Sequence, residues 1–456
     1  MKKGILFAIL ILAISLTPAF AAPDNDLKKP AAKNIIIMIS DGWGFNHLEA
    51  TSYYEYGKDA RQIYNRLPFQ FAMSTYSWGA LGVPDSCSYD PALAWSDFEY
   101  VKTCYTDSAA AATAMATGVK TYDAAIGVDA AGQPVGNTLE LAEQKGKATG
   151  VVTAVEWSHA TPAGFVAHNV SRNDYAGIAQ EMVNLSAADV VMGAGHPWYD
   201  ASGNLKATPN TYKYVGDQIT WDALVAGTAG GDADGDGVAD PWTLIQTRAE
   251  FQSLMSGPTP KRVLGTAQVY ETLQQGRSGD AFADPYVVPR TETVPTLTEM
   301  SLAALNILDD DPDGLYLMIE GGAVDWASHS NQSGRMIEEA IEFERTVEAV
   351  IDWVQKNSNW GETLLIVTGD HETGYLTGPG SGPGPVWTPI VNNGAGVLPG
   401  MEWHSPNHTN SLMVLSAKGD AARMFSRYAD QYDPVRGWYL DNTELAELVF
   451  WTLDPQ

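Results

Sequence analysis

The residues of this 456-residue chain whose types and spacing suit chemistry fall in a few short stretches. TDSAAAATAMATG, residues 106–118, puts Asp107 and Ser108 ahead of an alanine run. Alanine is the strongest helix former, so a helix is expected with Ser108 at its head. Two readings stay open from these residues alone. Asp107 or Ser108 caps the helix by accepting its first free N–H groups. Alternatively, Ser108 is a nucleophile at the positive end of a helix, where an anion is welcome. Elsewhere, NIIIMIS runs into Asp41, GLYLMI into Glu320, and TLLIVTG into Asp370 and His371. One acid at a strand end is usually a turn residue or a cap, and three such ends are harder to dismiss. VDWASHS spaces Asp325 and His329 four apart. On a helix both face one side, as two ligands of one metal or as a solvated pair. WHSPNHTNSLMVLS adds His404 and His408 as further candidates. Three aspartates and three histidines suffice for two zinc sites about 4 Å apart, an arrangement that serves in-line phosphoryl displacement.

Such residues need a scaffold that gathers them. NIIIMIS, GVVTAV, ADVVMGAG, GLYLMIE, TLLIVTG and SLMVLS are short β-rich apolar runs. Longer amphipathic stretches such as GRMIEEAIEFERTVEAVIDWVQK lie between many of them. Apolar strands alternating with helices predict an α/β fold, a large, mostly parallel central sheet with helices on both faces. Ligands of an open parallel sheet bind beyond the carboxyl ends of its strands, where Asp41, Glu320, Asp370 and His371 fall. Residues 34–456 read as one such domain, with an insertion at about 200–296 and a Gly/Pro-rich loop at about 376–403. Residues 1–21 carry Lys2 and Lys3, an apolar core and the small residues Ala19 and Ala21, the pattern of a secretory signal peptide; residues 22–33 read as a linker. No later apolar run is long enough to span a bilayer, and no membrane anchor is expected.

The net charge of −28 argues against nucleic acid and anionic membranes as partners. An anionic substrate would need local cations, metals or a placed arginine, to overcome that field. The two cysteines, Cys87 and Cys104, are expected to pair in an exported chain. Within GDADGDGVAD, the alternation of Asp232, Asp234, Asp236 and Asp240 around two glycines fits a calcium loop (Ca2+) or an acidic surface loop.

Six stretches together carry a resemblance: IIIMISDGWG, YTDSAAAATAMATG, SHATPAGFVAHNVSR, IEGGAVDWASHSN, VTGDHETG and NHTNSLMV. In kind and order they resemble the alkaline phosphatase family. That resemblance implies metal-dependent hydrolysis of small phosphomonoester substrates through a phosphoserine, with two Zn2+, one Mg2+ and a homodimer. It implies Ser108 as nucleophile and Arg172 as the phosphate grip. Asp325, His329 and His408 match one zinc set, with His408 preferred to His404 because threonine and a strand follow it. Asp41, Asp370 and His371 match the second. Asp41, Thr161 and Glu320 match the magnesium set. His159 stands where the best-known bacterial form has an aspartate, and Trp326 where it has a lysine, so both touch on the third metal and the phosphate. The alternative readings are a related two-metal hydrolase, such as a phosphodiesterase or sulfatase, and a non-catalytic extracellular calcium-binding protein.

Overall fold

The computed structural model describes residues 32–80, 83–84, 87–233 and 235–454. The expected signal peptide, most of the expected linker and Asp234 lie outside the described residues. Apolar runs along the chain build one sheet of eleven strands. In chain order these are β1 (Asn34–Ser40), β2 (Phe69–Ser74), β3 (Ala148–Glu156) and β4 (Val190–Ala194), then β5 (Thr243–Ile245), β6 (Val263–Thr266), β7 (Leu315–Gly321) and β8 (Thr363–Gly369), and last β9 (Met413–Lys418), β10 (Gln431–Asp433) and β11 (Gly437–Asp441). The order across the sheet is β10-β11-β2-β9-β8-β1-β7-β3-β4-β6-β5. The run from β8 to β5 is parallel throughout. SLMVLS forms β9, which runs against both its neighbours.

Every residue of β1 is buried. Ile35, Ile37 and Ile39 enter one core, together with Ala109, Ala112 and Met115 of the helix Ser108–Thr117. Ile36 and Met38 enter the other, together with Met336, Ile337 and Phe343 of the helix Ser333–Asn357. Burying each of these five side chains is worth about 1.5–3 kcal/mol, so β1 gains on the order of 10 kcal/mol before entropy is charged. That gain outweighs the several kcal/mol that a buried charge costs, and it lets the strand carry Asp41 into the interior at its carboxyl end. The region at 200–296 is joined to the same sheet, because β5 and β6 extend it at one edge.

The alanine run has a packing explanation. All ten residues of Ser108–Thr117 are buried. The helix lies against Ala160–Val166 and Asn442–Leu453. A β-carbon on Gly164 would come within 2.8 Å of Ala112 Cβ, so only small residues allow this approach. Cys87 and Cys104 are joined as a disulfide with Cα atoms 5.4 Å apart.

Candidate active site

Three adjacent strands set the floor of the site. β7, β1 and β8 lie side by side and end together, with Ser40 opposite Gly321 on one side and Gly369 on the other. Their ends deliver Asp41, Glu320, Asp370 and His371, all fully buried. Gly42 has φ +73°, and a β-carbon there would lie 2.6 Å from Asp325 Cα. Glycine therefore lets the chain leaving β1 press against the helix Ala323–His329 and brings Asp325 to the floor. The short strand His408–Thr409 pairs with Glu372–Thr373 and so hangs His408 beside His371, their rings stacked 3.6 Å apart.

These placements form three overlapping groups. Asp325, His329 and His408 make the first. His408 Nδ1 donates to the Thr106 carbonyl at 2.8 Å and His329 Nδ1 donates to the Pro406 carbonyl, so both rings turn Nε2 inward. The two Nε2 atoms are 3.0 Å apart, and lie 3.6 Å and 3.3 Å from the Asp325 carboxylate. Two imidazole nitrogens converging on a carboxylate form a fitting donor set for a divalent ion such as zinc, which would displace the proton that His329 shares with Asp325. Asp41, Asp325 and His371 make the second group. Asp370 borders it, with Oδ2 at 3.3 Å from His371 Nε2, while its Oδ1 accepts the N–H groups of Gly42 and His371. Asp41, His159 and Glu320 make the third. Thr161 Oγ1, Glu320 Oε1, Asp370 Oδ2 and both Asp41 oxygens are buried without a hydrogen-bond partner. Orphaned oxygens at this depth are costly, and cations are the partners that chemistry of this kind fits.

The electrostatics carry the same mark. Burial, then the neighbouring Asp370, Asp325 and Glu320, pushes Asp41 well above the carboxylate range. Burial pushes Asp370 up to about 8 and Glu320 up to about 7. Asp325 goes the other way: burial opposes it, but its bond to His329 and the facing imidazoles hold it below the usual range. Burial and the Arg172 charge push His159 down to about 3.

Ser108 and its helix end face this floor. Ser108 Oγ lies 3.2 Å from His371 Nε2. The cap is Asp107, which accepts from Ala110 N and Ala124 N at 3.0 Å each, so Ser108 is the first helical residue and its hydroxyl is spared that task. Asp107 also receives Arg172 Nη1 at 2.9 Å. Arg172 Nη2 donates to His159 Nε2 at 3.0 Å, since a guanidinium has no acceptor. Trp326 stands over His159 with ring centres 6.0 Å apart.

Other contacts could not be read from the linear chain. Thr153 donates to Glu320 and Thr373 donates to Asp325, each fixing one oxygen of a carboxylate. Period-2 alternation along β3 was the one available signal for Thr153. His404 lies apart from the three groups, with Nε2 2.7 Å from Thr377 Oγ1 and its ring against Phe98 and Tyr375. In the acidic loop, Asp232, Asp236 and Asp240 each accept a backbone N–H of their own loop, from Gly237, Val238 and Ala233.

The fold and this site define the class of protein: an α/β protein with a buried, carboxylate-rich cluster that could hold cations at the carboxyl edge of a parallel sheet. The family described as Alkaline phosphatase matches residues 32–433. Alkaline phosphatase 3 of Bacillus subtilis is 32% identical over 350 residues, spanning 75% of this chain and 61% of that protein. Alkaline phosphatase H of Pseudomonas aeruginosa is 29% identical over 438 residues, spanning 90% and 85%. The solved structure of a histidine-to-aspartate mutant of the alkaline phosphatase from the Antarctic bacterium TAB5, with Mg bound in its M3 site, shares the fold: TM-score 0.62, 22% identity, 93% of this chain and 99% of that one. The chain belongs to the alkaline phosphatase family, enzymes that hydrolyse phosphate monoesters. It spans just under two thirds of the length of the Bacillus subtilis relative.

Proposed function

We propose that this protein hydrolyses small phosphate monoesters through a covalent phosphoserine on Ser108. The observation that carries the reading is the Ser108 hydroxyl at a helix N-terminus, 3.2 Å from His371, above a floor of buried carboxylate oxygens that lack partners. Asp325, His329 and His408 would hold one zinc, and Asp41, Asp370 and His371 a second. Asp41, Thr161 and Glu320 would hold magnesium. Divalent ions bound there supply Lewis-acid activation of a hydroxyl and neutralisation of the leaving oxygen. Arg172, aimed by Asp107, offers two parallel N–H donors to non-bridging phosphoryl oxygens. The free N–H groups at the head of Ser108–Thr117 add a positive end to the same place. Ser108 Oγ attacks phosphorus, the alcohol departs, and water then cleaves the phosphoserine, releasing inorganic phosphate.

His159 bears on the third site. It reaches Asp41 and Glu320, and its Nε2 is also the acceptor of Arg172. An imidazole there supplies less negative charge than a carboxylate, so magnesium is held less tightly, and direct ligation favours a transition metal. The TAB5 mutant, with aspartate in place of a histidine and magnesium in its M3 site, is consistent with that reading. Export to the periplasm or the medium is supported by the disulfide, and no described helix is long and apolar enough to cross a membrane. Pairing into a homodimer, as the family resemblance implies, is checked by sedimentation of the purified protein.

The test is replacement of Ser108 by alanine. Turnover of a phosphomonoester is expected to fall by a factor on the order of 10³ or more, while metal content per chain stays the same. Labelled phosphate trapped at low pH should map to the Ser108 peptide of the wild type. Label on any other residue would overturn the assignment.

A further inference from the structure

His371 is anchored differently from the other two histidines of the site. His329 and His408 each rest Nδ1 on a backbone carbonyl, that of Pro406 and that of Thr106. His371 Nδ1 instead meets a side chain, the Thr373 hydroxyl at 3.3 Å. Thr373 is fully buried, and its backbone is held on both sides. Its N–H donates to the Gly42 carbonyl at 3.2 Å, and it lies opposite His408 where the two short strands pair. A hydroxyl carries one proton. Thr373 Oγ1 gives that proton to Asp325 Oδ1, the oxygen 3.6 Å from His408 Nε2. The lone pairs left on Oγ1 can only accept, so His371 carries its hydrogen on Nδ1 and donates it to Thr373. His371 Nε2 then presents a lone pair to Asp41 and Asp370, 3.5 Å and 3.3 Å away, and to the Ser108 hydroxyl at 3.2 Å.

We propose that Thr373 is a positioning residue that joins the two groups expected to hold zinc. With one hydroxyl it fixes the ring of His371 in one group and the carboxylate of Asp325 in the other. The inference rests on the zinc sets of the reading above and deepens it by a residue that acts through its two neighbours. A partner of this kind sets the tautomer and the direction of a ligand, and its loss weakens metal binding about 10- to 100-fold. The shared hydroxyl also links the groups energetically. A cation that orders Asp325 holds Oγ1 in place for His371, and a cation that orders His371 holds Oγ1 in place for Asp325. Coupling of this kind is reciprocal, so each group fills more readily when the other is filled.

The experiment compares Thr373→Val, which keeps the shape and removes the hydroxyl, with Thr373→Ser, which keeps the hydroxyl and removes the methyl. Each full-length protein is loaded with zinc at constant magnesium and titrated with a chelator of known zinc affinity, and the zinc retained per chain is measured. The wild type is expected to release its two zincs in one transition. Thr373→Val should release them in two separate steps, the first at a chelator concentration about 10-fold lower than the wild type needs. Thr373→Ser should restore the single transition. Release curves of the wild type and Thr373→Val that superimpose would overturn the proposal. A Thr373→Ser protein that behaves like Thr373→Val would also overturn it, because the methyl and not the hydroxyl would then be what matters. A wild type that retains no zinc at all would instead overturn the zinc sets on which the proposal rests.

Discussion

At the scale of single residues, Asp107 and His159 have the most consequence for how the site is tuned. Asp107 does two jobs with one carboxylate, capping the helix of Ser108 and fixing Arg172 Nη1. Asp107→Ala removes both. Loss of a cap costs about 1 kcal/mol, and the freed guanidinium no longer arrives aimed at the phosphoryl group. A drop in kcat/KM of about 10-fold or more is expected, with a small fall in melting temperature; steady-state kinetics and a thermal melt read the two effects separately. His159→Asp replaces the acceptor of Arg172 by a carboxylate and adds a hard oxygen ligand near Asp41 and Glu320. Magnesium should then activate at lower concentration with zinc held constant. Coincident magnesium titrations of the wild type and the variant would show that His159 does not tune the third site.

At the scale of elements, the position of Ser108 depends on how closely two helices approach. Ala160–Val166 touches Ser108–Thr117 where Gly164 faces Ala112. Gly164→Val places bulk into a gap that a single β-carbon already overfills, and overpacking of this kind costs about 1–3 kcal/mol. The strain is relieved when either helix moves away, which carries Ser108 off the floor or shifts Thr161 on the helix of Gly164. Turnover should fall by more than the loss of stability explains, while zinc content is retained, because none of the residues proposed to hold zinc lies on either helix. Retained turnover in a destabilised Gly164→Val protein would show that the helix does not transmit its position to the nucleophile.

For the whole molecule, the buried carboxylates make stability depend on metal and pH together. Asp370 at about 8 and Glu320 at about 7 bind protons in the folded state that the unfolded chain releases near pH 4. Their contribution to stability is therefore present at low pH and is lost as pH rises through those values. His329, raised to about 9 because its bond to Asp325 outweighs burial, loses stability in the same direction above about pH 6.5. His159, His371 and His408 are lowered by burial and act the opposite way, but only below about pH 6.5. Between pH 6.5 and 9 the terms no longer oppose one another. The chelated protein should lose melting temperature steadily across that window. Bound cations replace the protons, so adding zinc and magnesium should raise the melting temperature more at pH 9 than at pH 6.5. A chelated protein whose melting temperature is flat from pH 6.5 to 9 would contradict this account.

Much of this protein was legible in its linear chain because its signals are local. Apolar runs that end in Asp41, Glu320, Asp370 and His371 announce strands whose carboxyl ends carry ligands, and sheet physics puts those ends together. The four-residue spacing of Asp325 and His329 announces one helical face. What the chain could not announce is which distant groups meet. Asp325 borders two cation groups, not one, because a glycine at position 42 lets two elements come into contact. Whether Asp107 or Ser108 caps the helix depended on the approach of Ala124 and Arg172. The direction of β9 and the edge strands β5 and β6 followed from sheet pairing, which apolar periodicity does not encode. Contacts between residues far apart in sequence are chosen by the packing of whole elements, so the chain supplies the functional groups and the tertiary structure selects their partners.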